Sequence, residues 1–296
     1  MRGAERGYLL LTSQLGDPAY RPLTVPQLRT LAARVRNARR EDGNRELNMT
    51  DLKTLGYGKE MASRILALLD REEILDYYLR IGVHNGCIPV TRASENYPAR
   101  IRCLLGDDSP GCLWAKGDIS ILGLPGIALV GSRDLEPDNR HFAAEVGRQA
   151  AQQGYVLVSG NARGADRTAQ DACLAHGGKV ISIVADRLDE KKTQENVLYL
   201  SEDGFDLPFS AQRALSRNRC IHALGIKTFV AQCSLEQGGT WDGTVKNLRM
   251  GYSPVYVFAD GSEALAALEA MGAVPILEPM LESIHNLPVF QGSLFE

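Results

Sequence analysis

The chain has 296 residues, 44% of them hydrophobic and 23% charged, with a formal net charge of −3. That length fits about two domains, and no stretch approaches the unbroken apolar length of a membrane span. The charge balance excludes a globally basic nucleic-acid binder, so any nucleic-acid surface has to be a local patch.

The six cysteines form no CxxC pair and no Cys/His cluster, and the five histidines show neither metal-ligand spacing nor a nucleophile partner. Neither a zinc site nor a disulfide framework is expected, and no cofactor is called for. Reduced thiols in a cytoplasmic protein are the expectation. The N-terminal "MRGAERGYLLLTSQLGD" has too short an apolar run for a signal peptide and reads as the first part of the fold.

From Val25 to Leu79 the pattern is helical and, between Arg29 and Arg45, rich in arginine. A small helical domain is therefore expected over residues 1–82. Within it, "LKTLGYGKEMASRILALLD" sets Gly-Tyr-Gly between two short apolar helical patterns, a helix-hairpin-helix-like (SAM-like) arrangement. Its glycines permit the turn, and amides at the second helix's start would meet a DNA phosphate. A plain helix–helix corner accounts for the same spacing. A solvated face likewise accounts for the arginines, which Glu41, Asp42 and Glu46 dilute.

Residues 83–123 shift to proline, glycine and mixed polar composition and read as a connector packed through Tyr97, Leu104, Leu113 and Trp114. From Ile127 onward, "IALVGS", "YVLVSG", "KVISIVA", "VLYLSE", "TFVAQC", "PVYVFA" and "AVPIL" are strand patterns, and helical patterns separate most of them. This alternation predicts an α/β fold with a doubly wound, mainly parallel sheet over residues 124–278, followed by a tail over 279–296.

The strand ends carry the chemistry. A dinucleotide site needs GxGxxG after the first strand and an acid ending the second. The chain instead offers Gly131-Ser132-Arg133 and Ser159-Gly160, followed by Arg163-Gly164. Glycines admit a phosphate to the backbone, Ser132 and Ser159 add hydroxyls, and Arg133 and Arg163 add charge-assisted bonds. Asp166 stands just before a helical pattern and is expected to cap it. Arg217 and Arg219 in "SRNR" diverge on a helix and would reach successive phosphates, or one would brace the loop. Asn218 would bond backbone or a base edge. Gly238, Gly239 and Thr240 form a further glycine-rich turn at a strand end.

Together "VGSR", "SGNARGAD", "ENVLYLSE" and "SRNR", with the preceding "NYPARIRCLLGDDSPGCLWAKGD", resemble the DNA-processing protein A (DprA/Smf) family over about Tyr97 to Phe258. The resemblance implies an extended Rossmann-like domain that binds single-stranded DNA without catalysis, forms a homodimer and helps to load the RecA recombinase in natural transformation. It places the Gly131, Ser159, Arg163 and Arg217 segments, with Arg219, around a strand-end DNA pocket. Asn161, Ala165 and Gln170 depart from the family pattern, as does "QGGTWDGT". The chain also reads as lacking the winged-helix domain with which many members end.

Two further readings stand beside this one. A nucleotide sensor, or an enzyme similar to the cytokinin-activating phosphoribohydrolases, would use the same turns, but "GGTWDGTVKN" has an extra residue and lacks that family's glutamate. The final "QGSLFE" matches the pattern of peptides that dock on the bacterial sliding clamp. Gln291 would supply the hydrogen bond, and Leu294 and Phe295 the apolar anchors.

Overall fold

Reciprocal capping pairs fix where two helices of the N-terminal region begin. The computed structural model describes residue 1 and residues 3–38 and 47–288. Five helices precede the first strand: α1 (Gly3–Thr12), α2 (Val25–Asn37), α3 (Met49–Thr54), α4 (Lys59–Leu69) and α5 (Glu72–His84). Thr24 and Gln27 cap α2 reciprocally, and Asn48 and Asp51 do so at α3. Each pair satisfies amides that no helical carbonyl reaches. Leu11, Leu28, Leu52 and Ile65 close a small core among α1 to α4. Leu9 and Leu10 of α1 and Tyr78 of α5 belong instead to the larger core beside the sheet.

The segment expected to be a connector is part of the sheet. β1 (Cys87–Thr91) pairs antiparallel with β2 (Cys112–Lys116), with α6 (Ala99–Leu105) between them. The proline and glycine content masked two short strands whose anchors, Val90, Leu113 and Trp114, are fully buried.

The remaining elements alternate: β3 (Gly126–Val130), α7 (Pro137–Gln152), β4 (Val156–Ser159), α8 (Ala165–Ala175), β5 (Lys179–Val184) and β6 (Val197–Glu202). There follow α9 (Ala211–Leu224), β7 (Gly225–Val230), α10 (Gly238–Met250), β8 (Val255–Phe258), α11 (Glu263–Ala270) and β9 (Val274–Ile276). The sheet runs β1-β2-β6-β5-β4-β3-β7-β8-β9 and is parallel from β6 to β9. Strands such as "IALV" and "VLVS" are buried on both faces because helices cover both. Phe142 and Ala169 fill one side of the sheet, and Ile221 and Trp241 the other.

Residues after 278 do not start as a free tail. A 3₁₀ stretch, Glu278–Asn286, buries Leu281 and Ile284 against α7. There Gln153 accepts from the Ile284 amide at 2.9 Å and donates to the Leu281 carbonyl at 2.7 Å. Gln291, Leu294 and Phe295 lie outside the described residues. Among those described, no helix is long and apolar enough to cross a membrane.

Candidate nucleic-acid interface

Strand order reverses at β3: β4, β5 and β6 succeed it on one side, β7, β8 and β9 on the other. Loops leaving β3 and β7 therefore part in opposite directions and leave a crevice beyond the strands' carboxyl ends. Its base is tied together. The Ser132 amide donates to the Gln232 carbonyl at 2.9 Å and the Ala231 amide to the Val130 carbonyl at 3.1 Å. Thr240 Oγ1 donates to the Gly131 carbonyl at 3.0 Å, pinning the start of α10 to the β3 loop.

Two cavities open here. The larger, about 450 Å³, is lined by Gly131, Ser132, Arg133, Arg217, Asn218 and the Gly238–Thr240 turn. The smaller, about 290 Å³, is lined by Gly160, Asn161, Arg163 and Asp186. Arg133, Phe209 and Arg217 border both.

Three guanidinium groups differ in how they are held. Arg133 is exposed and makes no ion pair among the described residues, whereas Arg163 reaches Asp134 at 2.7 Å on an exposed surface. Arg217 is buried, with 8% of its surface accessible, and donates to the Ile183 carbonyl. Burial pulls its proton affinity below the ordinary arginine value, and the nearby Asp166 carboxylate opposes that pull. Gly160 makes room for it: a Cβ there would stand 2.3 Å from the guanidinium nitrogens.

Asp166 corrects one expectation. Helix α8 begins at Ala165 and its cap position is Gly164, so Asp166 lies inside the first turn. Its Oδ2 accepts from the amides of Gly160 at 2.9 Å and Ala162 at 3.1 Å, strapping the β4 loop to the helix. Those amides are thus satisfied internally rather than offered to a ligand. Burial raises the Asp166 pKa, against the opposing charge of Arg217. Gly164 lies at φ +86, where a Cβ would meet the Ser132 and Arg133 carbonyls at 2.4 Å. Its role is to fold the loop.

Two other candidates lie away from the crevice. Ser159 is fully buried and accepts from Gln170 Nε2 at 2.5 Å. Arg219 faces the other side of α9, where it donates to Glu202 Oε2 at 2.8 Å in a pair with side-chain exposures of 8% and 9%. A guanidinium so held is a structural ion pair and reaches no phosphate in the crevice. Asn218 Nδ2 donates to the Gly239 carbonyl at 3.0 Å, the backbone alternative of the two expected for it. The Gly238–Thr240 segment is the first turn of α10 rather than a loop. Gly56-Tyr57-Gly58 joins α3 to α4 in the helical unit, with Arg34 stacked 4.4 Å from the Tyr57 ring, and lines neither cavity.

Phe209 and Asp186 are lining residues that motif reading missed. The signal for Phe209 was an aromatic directly before the helix-capping Ser210. Asp186 ends the β5 pattern and pairs with Lys191 at 2.6 Å.

Residues 89–259 match the family model of DNA recombination-mediator protein A. The DNA processing protein DprA of Streptococcus pneumoniae is 32% identical over 148 residues, 44% of this chain and 50% of that protein. Protein Smf of Escherichia coli is 28% identical over 208 residues, 66% of this chain and 55% of its own length. The chain thus spans about half the length of these curated relatives. The solved structure of the pneumococcal DprA superposes with a TM-score of 0.74 at 21% identity, covering 97% of this chain and 99% of that one. The Helicobacter pylori DNA processing protein A, described for its single-stranded DNA binding mode, gives 0.57 at 23% identity over 67% of this chain and 95% of that one.

Proposed function

Because the chain belongs to the DNA recombination-mediator protein A family, we propose that it binds single-stranded DNA without catalysing a reaction on it, and that the strand-end crevice is where it does so. The observation that carries this is the pairing of a buried guanidinium, Arg217, with an exposed one, Arg133, on the shared border of two adjacent cavities. Two adjacent cavities with cations between them suit a polyanion that passes through both. In this reading Ser132 and the first-turn amides of Gly238, Gly239 and Thr240 contact phosphate in the larger cavity, and Arg163 does so in the smaller.

The proposal extends to partners: a homodimer, assistance to RecA, and engagement of the sliding clamp through Gln291, Leu294 and Phe295. Cytoplasmic placement belongs to it as well. A free nucleotide is the competing ligand, since a cavity of about 450 Å³ also falls in the size range of small-molecule sites.

Fluorescence anisotropy of labelled oligo-dT, with a duplex competitor and a salt series, tests the reading. Salt-sensitive, single-strand-selective binding that Arg133→Ala and Arg217→Ala weaken is the expected result. No binding at low salt would reject it in favour of free nucleotides. Deleting Gln291–Glu296 should separately abolish retention on immobilised clamp; unchanged retention removes the clamp from the proposal.

A further inference from the structure

Phe142, Phe205 and Phe229 are buried, but Phe209 keeps 58% of its surface exposed. A ring left in water forgoes the stabilisation that its burial would bring. It is not on a loose loop either. Pro208 precedes it, and Ser210 caps α9 by accepting from the Arg213 amide. Arg213 Nη1 donates to the carbonyls of Ala185 at 2.8 Å, Leu207 at 3.1 Å and Pro208 at 2.8 Å, and Nη2 donates to Ser201 Oγ at 2.8 Å. One half-buried side chain thus fixes the backbone immediately before Phe209, and the ring is presented on a main chain that is already ordered.

The position matters as much as the exposure. Phe209 borders both cavities together with Arg133 and Arg217, so an apolar ring stands between two places lined by cations. Leu215, 47% exposed, continues this apolar lip along the larger cavity. A sugar-phosphate backbone has no use for such a ring, and a duplex keeps its bases stacked on one another. An unpaired base has a free π face.

We propose that Phe209 stacks on an unpaired nucleobase while the neighbouring phosphates occupy the two cavities, which makes it the residue that sets preference for single strands over duplex. This rests on the single-stranded DNA reading above. Every base has a π face, so the contact tolerates any sequence.

The test uses the full chain with Phe209→Ala, Phe209→Leu and Phe209→Trp, and three probes: oligo-dT, an abasic strand of equal length, and a duplex. Phe209→Ala is expected to weaken oligo-dT binding about tenfold or more and to leave the abasic strand, the duplex and the salt slope unchanged. Phe209→Leu should behave like alanine. Phe209→Trp should keep the affinity and show emission quenched by oligo-dT, over the signal of Trp114 and Trp241. Oligo-dT affinity within about twofold of wild type in Phe209→Ala, or equal losses on oligo-dT and abasic strand, would overturn the inference. Wild-type protein that binds no strand at low salt would overturn the underlying reading, and this inference with it.

Discussion

The guanidinium of Arg217 rests against the α-carbon of Gly160, so closely that a methyl group there would stand 2.3 Å from Nη1. Arg217 is on α9 and Gly160 follows β4, so the contact joins two crevice walls distant in sequence. Gly160→Ala should push the guanidinium off the Ile183 carbonyl, at a stability cost of about 1–3 kcal/mol. Oligo-dT affinity should fall about tenfold. Paired urea melts and anisotropy titrations separate the two effects; unchanged affinity would show that Arg217 need not keep its place.

Arg133 is exposed and carries no ion pair among the described residues, whereas Arg163 is tied to Asp134 at 2.7 Å. Arg133→Ala should reduce the slope of log affinity against log salt by about 0.7, the loss of one single-strand phosphate contact. Asp134→Asn releases Arg163 and should strengthen binding at low salt, the effect shrinking as salt rises. A salt series on each variant reads both.

The Arg219–Glu202 pair predicts a different phenotype from its neighbour two residues earlier. Arg219→Ala leaves Glu202 buried without its cation and should cost about 3–5 kcal/mol of stability, because burial of both partners removes solvent screening. Folded protein should keep the wild-type salt slope. A reduced slope with intact stability would put Arg219 on the DNA instead.

His222 supplies a pH dependence. Burial lowers its pKa from 6.5 to about 4, so the unfolded chain takes a proton more readily than the folded one. Its contribution is therefore fully present above about 6.5 and is lost as pH falls towards 4, by roughly 3 kcal/mol in all. Urea midpoints from neutral pH down to about 5 should fall in the wild type, and His222→Gln should flatten that segment of the curve.

The doubly wound sheet was legible because its strands are short apolar runs separated by helical patterns, with β3 and β4 running into glycine, a pattern set by burial on both faces. β1 and β2 were not, since "CIPVT" and "CLWAK" are short, carry proline or lysine, and draw their order from pairing rather than from periodicity. Ser132, Arg133 and Arg163 could be brought to one region from their strand-end positions, whereas Arg217, within α9, was placed there only by the family resemblance. Spacing did not reveal that Arg219 faces Glu202, that Ser159 is held by Gln170, or that Asp166 uses up two loop amides. Each of those depends on a partner from a different element. Phe209 belongs to no motif, and its exposure is a property of the folded chain.

Helix α1 gives Leu11 to the small helical core and Leu9 and Leu10 to the core beside the sheet. On α5, Tyr78 stacks on Phe205 at 4.4 Å and meets Trp114 edge-on at 5.4 Å. A fragment starting at residue 83 would thus lose Leu9, Leu10 and Tyr78 together and bare two large aromatics. The helical unit and the sheet therefore share one core. Exchanging the N-terminal helices between relatives would succeed only if α1 and α5 travel with the strands they cover.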